Sequence, residues 1–298
     1  MNFVGRYLDP LVVERLNALQ LSARSVVEGM TTGTHRSPVK GASVEFRQHR
    51  FYVRGDEPRR LDWRVLGRTD RLYVKEYDEE TNLRCLLLLD CSGSMGYGRE
   101  RDGGSKFDYA ARLTAALAYL MLAQTESVGL GLFHQRIDPY LAPRSGTAQL
   151  SRLLTLLDRT SPRSTASPAA ALRDAGRRLS RRALLIVLSD FFCPVAELRH
   201  ALALLRHDYH EVIVLRILDR AEIVFPFSGW SCFRGLEREP MRWVEPALLR
   251  QGYRGRFAAH AGALADACRS TRAEFHNLVT DQPLLDSLTA FLARRAGQ

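Results

Sequence analysis

The stretch that decides the fold runs Leu86-Leu87-Leu88-Leu89-Asp90-Cys91-Ser92-Gly93-Ser94-Met95. Its four consecutive leucines do not alternate with polar residues, which is typical of a strand that is buried on both faces. Such strands occur in parallel sheets that carry helices on both sides. We therefore expect residues 84–89 to form a central strand of this kind.

From residue 83 onward, strand-like and helix-like segments alternate along the chain. We predict strands at 84–89, 127–133, 137–141, 183–189, 211–217 and 273–279. We predict helices at 106–124, 147–158, 167–179, 194–207, 246–268 and 282–294. This alternation predicts an α/β fold with a doubly wound, mostly parallel sheet. The predicted domain covers 83–298, with a core at 83–220 and a C-terminal extension at 221–298 that includes a hairpin around 231–244.

The first 82 residues have a different pattern, which predicts an N-terminal helix followed by a strand-rich extension. Residues 9–28 read as a helix, because Asp9 suits its N-cap, Pro10 its first position and Gly29 the position after its end. Residues 44–53 are strand-like, and 59–80 interleave opposite charges. That charged segment indicates either a solvated surface or a docking surface.

Three oxygen-bearing side chains follow the leucine strand, namely Asp90, Ser92 and Ser94. In open α/β sheets, ligands bind at the carboxyl ends of the strands. A carboxylate and two hydroxyls suit Mg²⁺ or Mn²⁺, which prefer hard oxygen ligands. The alternative interpretation is an ordinary Ser/Gly turn.

Asp90-x-Ser92-x-Ser94 resembles the metal-ion-dependent adhesion site of von Willebrand factor A domains. The preceding segment resembles the signature of a bacterial family, domain of unknown function 58, in Gly55-Asp56, in Arg60-Leu61-Asp62-Trp63 and in the residues from Leu72 to Tyr77. The resemblance implies a von Willebrand A-like, Rossmann-like fold in which three loops supply the metal ligands.

By this resemblance the second loop supplies Thr165, with Ser164 and Ser167 as alternatives, and the third loop supplies Asp190. The family usually has Gly-Gly-Thr-Asp at the second loop, whereas this chain has Ala166 in place of the acidic residue. The predicted metal ligands are therefore Asp90, Ser92, Ser94, Thr165 and Asp190.

Two carboxylates and three hydroxyls leave a divalent ion short of ligands, so an acidic side chain from a partner would complete its shell. The net charge of +10 favours such a partner. The resemblance implies an adaptor, without enzyme activity of its own, that acts beside a MoxR-type AAA+ ATPase or its client in a chaperone or assembly role. One alternative is a divalent-metal-dependent hydrolase or phosphotransferase that uses the same oxygens, and another is a scaffold that binds no metal.

Common catalytic motifs do not match. Haloacid-dehalogenase-type phosphatases have a second Asp where this chain has Ser92, and Phe107 follows Lys106 where a phosphate loop needs Ser or Thr.

Five dispersed cysteines and the absence of a recognisable signal peptide favour a cytoplasmic protein with reduced thiols. We expect no membrane span, because no run of about 18 apolar residues occurs. The arginines are spread along the chain, so we also expect no nucleic-acid partner.

Overall fold

The computed structural model describes residues 7–8, 13, 44–52, 63–69, 71–79, 83–98, 104–237 and 239–296. The chain divides into two compact units, Thr31–Asn82 on the one hand and Met1–Met30 with Leu83–Gln298 on the other. The helix predicted at 9–28 lies almost wholly outside the described residues. The predicted domain boundary after residue 82 stays a prediction.

The smaller unit contains a two-stranded antiparallel sheet and a short helix. Strand β1, Val44–Phe51, pairs with strand β2, Tyr73–Glu79, and helix α1, Trp63–Thr69, lies between them in the chain. The charged segment predicted at 59–80 therefore contains regular structure in its described part.

The larger unit is built on a six-stranded sheet. Its strands are β3 (Arg84–Asp90), β4 (Ser127–Phe133), β5 (Ile137–Arg144), β6 (Leu184–Ser189), β7 (Glu211–Leu218) and β10 (Glu274–Val279). Their order is β10-β7-β6-β3-β4-β5, and every neighbouring pair is parallel except the edge pair β4 and β5. This confirms the predicted doubly wound, mostly parallel sheet.

Helices cover both faces of this sheet. They are α2 (Lys106–Ala123), α3 (Thr147–Asp158), α4 (Pro168–Arg178), α5 (Val195–His207), α6 (Arg220–Val224), α7 (Pro246–Ser270) and α8 (Leu284–Ala296). Helices α2, α3 and α8 pack on one face, and α4, α5 and α7 pack on the other. A small antiparallel hairpin, β8 (Ser231–Phe233) with β9 (Arg242–Val244), precedes α7, as predicted.

The four leucines of β3 explain why the sheet is buried on both sides. Leu87 and Leu89 contact one core, whereas Leu86 and Leu88 contact the other, and all four are fully buried. Burying one leucine side chain contributes about 1.5–3 kcal/mol, so a polar residue at any of the four positions would weaken one core.

The path of the chain makes the carboxyl ends of β3 and β6 the switch point of the sheet, where the strand order reverses. These strands are hydrogen-bonded neighbours, but β3 leads into α2 on one face and β6 leads into α5 on the other. In doubly wound sheets, ligands bind at such a switch point. The two strands deliver Asp90 and Ser189-Asp190 to this edge.

Candidate functional site

Asp90 lies at the centre of the site and is almost fully buried, with 2% of its surface exposed. The backbone N–H of Ser92 donates to Asp90 Oδ1 at 2.8 Å, and the Ser189 hydroxyl donates to Asp90 Oδ2 at 2.5 Å. The first and third loops are thus joined through one carboxylate. The sequence indicates Ser189 only as the end of a strand, and its contact with Asp90 joins residues 99 positions apart.

The serines of the motif turn toward one another. The Ser92 and Ser94 Oγ atoms are 3.0 Å apart, and Ser94 lies in a short 3₁₀ turn, Gly93–Gly96, directly after the strand. Ser92 is buried and Ser94 is half-buried. The turn therefore brings two hydroxyls together at positions two and four residues after a buried carboxylate.

The second loop reaches the first through its backbone. Gly93 N–H donates to the Ser164 carbonyl at 2.7 Å, and Arg163 N–H donates to the Cys91 carbonyl at 2.8 Å. Two hydroxyls of this loop have partners elsewhere, because Thr165 Oγ1 accepts from Gln135 Nε2 at 3.1 Å and Ser167 caps helix α4.

Thr165 is also exposed, and its described hydrogen bond does not reach Asp90, Ser92 or Ser94. The structure thus brings the second loop to the site and leaves the role of Thr165 as a ligand a prediction.

The third loop is held by a buried lysine that sequence reasoning missed. Lys106 Nζ donates to Asp190 Oδ2 at 2.8 Å and to Glu222 Oε1 at 2.7 Å, and its side chain is fully buried. Lys106 is the first residue of α2, after the Ser105 N-cap, and it is one of only three lysines in the chain. The sequence feature that could have indicated this role is a lysine at the start of an apolar helix, in a chain whose basic residues are nearly all arginine.

A second buried cation lies beside Asp190. Arg216 of β7 is fully buried, and its Nε donates to the Asp190 carbonyl at 3.1 Å. Its guanidinium stacks over the rings of Phe257 and Phe192, at 4.9 Å and 5.6 Å from their centroids. Cation–π contacts of this kind are most favourable where water is excluded. The third loop is therefore surrounded by positive charge.

Burial and charge shift the ionisation of the site. Burial, with repulsion from Asp190, raises the pKa of Asp90 to about 7, although hydrogen bonds from Ser189 and Ser92 act in the opposite direction. Burial by itself lowers the pKa of Lys106, but the attraction of Asp190 and Glu222 outweighs it, so the pKa is raised overall. Burial and the Asp90 charge also raise the pKa of the Cys91 thiol well above its usual range, which makes it a poor nucleophile.

The donor set at the first loop fits a divalent cation. Asp90 is a buried carboxylate whose pKa lies near neutrality, and a cation beside it would hold it in its charged form. The Ser92 and Ser94 hydroxyls supply further hard oxygens. Within the described ranges, no group of three or more His, Cys, Asp and Glu side chains is arranged to hold a metal ion, so an ion here would depend on the serines. Asp190 fits less directly, because Lys106 already balances its charge.

A comparison of the sequence with known families matches residues 48–263 to the family described as Protein of unknown function DUF58. The chain belongs to this family. The match spans the motif strand, the three loops and the hairpin, and it confirms the resemblance to this family; the metal-ion-dependent adhesion site stays a prediction. Uncharacterized family relatives from Mycobacterium tuberculosis and Mycobacterium bovis are each 27% identical over 293 residues, which cover 96% of this chain and 90% of theirs.

Solved structures share the fold. An aerotolerance-related membrane protein from Bacteroides fragilis aligns with a TM-score of 0.51 at 16% identity, covering 72% of this chain and 98% of that one. BatB from Bacteroides thetaiotaomicron aligns with a TM-score of 0.49 at 16% identity, covering 72% of this chain and 100% of that one. The SpRpn10 VWA domain aligns with a TM-score of 0.42 at 13% identity, covering 70% of this chain and 93% of that one. The Bacteroides fragilis alignment agrees with the doubly wound α/β fold described above.

The comparison contradicts the predicted cytoplasmic location. The Bacteroides fragilis neighbour is named as a membrane protein, so the cytoplasmic assignment is wrong on this finding. The dispersed cysteines on which it relied report on the redox state of the thiols and carry no information about association with a membrane. Among the described residues, no helix has both the length and the apolar character needed to cross a bilayer.

Proposed function

We propose that this protein is a metal-dependent protein-interaction adaptor. The observation that carries the proposal is the grouping of buried Asp90 with the paired hydroxyls of Ser92 and Ser94 at the switch point of the sheet. In this proposal Asp90, Ser92 and Ser94 hold Mg²⁺ or Mn²⁺, and Thr165 and Asp190 complete the set from the second and third loops. The ion supplies a Lewis-acidic centre for an acidic side chain of a partner.

The partner that we propose is a MoxR-type AAA+ ATPase or its client, in a chaperone or assembly role. Support for it comes from the family resemblance, together with the site chemistry and the net charge of +10. Lys106 balances the charge of Asp190, so Asp90 is the one uncompensated carboxylate of the set. A bound divalent ion therefore keeps positive charge, which attracts a further carboxylate from a partner. The ATP chemistry would belong to the partner.

The test is capture from a native lysate by the wild-type protein in Mg²⁺ and again in EDTA, beside the double variant S92A/S94A. We expect an AAA+ ATPase or a protein bound to it to be captured only by the wild type in Mg²⁺. Capture that neither EDTA nor the double variant reduces would contradict the metal-dependent adaptor. The hydrolase alternative is tested by assaying the wild type beside D90N, since it requires turnover of a phosphoester that is lost in D90N.

A further inference from the structure

The hairpin formed by β8 and β9 is fixed to the domain by Phe233, the last residue of β8 before the hairpin tip. Phe233 of β8 stacks on Phe225 at 5.9 Å and contacts Phe227 edge-on at 5.2 Å, and Phe225 in turn stacks on Tyr253 of α7 at 4.5 Å. Such aromatic pairs contribute beyond the area that they bury. This cluster, Phe225, Phe227, Phe233 and Tyr253, holds the end of β8 from which the hairpin tip begins, and the tip is described at 234–237 and 239–241.

The tip lies directly on the first loop of the candidate site. The backbone N–H of Ser94 donates to Glu237 Oε1 at 3.1 Å, although the two residues are 143 positions apart in the sequence. The Leu236 carbonyl oxygen occupies the space that a Cβ at Gly93 would take, so only glycine allows this approach. Glu237 is half-buried, unlike most of the tip, because its carboxylate lies against the turn.

Glu237 also has a fixed backbone. Its N–H donates to Glu239 Oε2 at 2.9 Å, which bends the tip so that the Glu237 side chain returns toward Ser94. The carboxylate therefore contacts the residue whose hydroxyl pairs with Ser92. A hydrogen bond to a charged acceptor is stronger than one to a neutral acceptor, so this contact resists displacement.

We propose that Glu237 is an internal acidic ligand of the candidate site, and that the tip at 234–241 caps the site until an acidic partner displaces it. This inference rests on the proposed function, because it supposes that the site recognises carboxylates. The chain then supplies in cis the chemical group that a partner would supply in trans. The affinity for a partner is consequently lower than that of the uncapped site, and it is reduced in proportion to the fraction of molecules whose tip is released.

The experiment measures binding of a fluorescein-labelled octaglutamate peptide to the full chain by fluorescence anisotropy, in Mg²⁺ and in EDTA. The central variant is E237Q, and the matched control is E245Q. Glu245 precedes α7, is exposed and makes no side-chain cap hydrogen bond, so E245Q changes the net charge equally without touching the site. D90N reports on the ion site itself.

We expect E237Q to bind the peptide about tenfold more tightly than wild type in Mg²⁺, in keeping with the strength of one hydrogen bond to a charged group. E245Q should bind as wild type does, and EDTA or D90N should abolish binding. G93A is a second variant, because its added methyl group collides with the Leu236 carbonyl and releases the tip while leaving Glu237 intact. It should reproduce the gain seen in E237Q.

The failures of the two proposals are distinguishable. Mg²⁺-dependent binding that is equally tight in wild type, E237Q and G93A overturns the cap and leaves the adaptor standing. Equal gains in E237Q and E245Q show a general charge effect and also overturn the cap. Mg²⁺-independent binding, or none in any variant, overturns the carboxylate-recognising site and the inference with it. The rate of trypsin cleavage after Arg234 and Arg242 gives a second readout. If the tip caps the site, this cleavage is faster in E237Q than in E245Q.

Discussion

Replacing Lys106 by methionine removes the charge that holds the third loop. The Lys106 ammonium is fully buried and bridges two carboxylates, Asp190 at 2.8 Å and Glu222 at 2.7 Å. Methionine is unbranched and fills a similar volume, so the packing of α2 changes little. The variant K106M therefore leaves buried Asp190 and partly buried Glu222 without the cation that they share, while leaving the apolar contacts in place.

The expected loss of stability is large. Removing one partner of a buried ion pair costs about 3–5 kcal/mol, because the remaining charge stays buried and uncompensated. With a urea dependence of about 1–3 kcal/mol per molar, the midpoint of unfolding should fall by at least about 1 M. The assay is urea denaturation followed by circular dichroism. The double variant K106M/E222Q should recover part of the loss, since it removes one of the two unpaired charges.

R269M is the matched control for K106M. Arg269 pairs with Asp266 at 2.9 Å, but both side chains are mostly exposed, at 79% and 71%. An exposed pair of this kind contributes about 0–1 kcal/mol. If K106M unfolds at the same urea concentration as R269M, the buried triad of Lys106, Asp190 and Glu222 does not stabilise the protein, and the reasoning from its burial is refuted.

Three further predictions concern pH, thiols and the second loop. Burial lowers the pKa of His210 below its ordinary value, so its stabilising contribution is present above about pH 6.5 and is lost as the pH falls through the folded-state pKa. The thermal midpoint of H210Q should therefore depend less on pH between about pH 7 and pH 5 than that of the wild type, and an unchanged pH dependence would disprove this. Iodoacetamide should alkylate exposed Cys232 well before buried Cys91, as judged by mass spectrometry, and the reverse order would contradict the structure. When Mg²⁺ binding is measured by calorimetry, S94A should lose more affinity for Mg²⁺ than T165A, because the Thr165 hydroxyl already has a partner outside the site. A greater loss of affinity in T165A would show that the second loop rearranges.

The sequence predicted the framework because the framework depends on local patterns. The apolar run at Leu86–Leu89 favours a central strand between two helical layers, because that arrangement buries every leucine, and the structure has it. Asp90, Ser92 and Ser94 came together as predicted because they are adjacent along one turn. The edge strand β5 was predicted to end at 141 and continues to Arg144, because pairing with β4 extends it beyond its apolar part.

The contacts that sequence reasoning missed join residues far apart in the chain. Lys106 is 84 positions from Asp190 and 116 from Glu222. Glu237 is 143 positions from Ser94. Whether a charge is buried and paired depends on the tertiary neighbours, which no local pattern encodes. The Ser/Thr-rich second loop has no periodicity either, so its register against the first loop could not be predicted from the residues.

The measurement that tests the central claim most directly is a calorimetric titration of the full-length wild-type chain with Mg²⁺, beside D90N. Asparagine has nearly the same shape as aspartate, so the variant removes the charge of Asp90 and keeps most of its contacts. The account predicts saturable binding of one ion to the wild type and none to D90N. If the wild type binds no ion, or if D90N binds it equally well, the metal-dependent site at Asp90, Ser92 and Ser94 is contradicted.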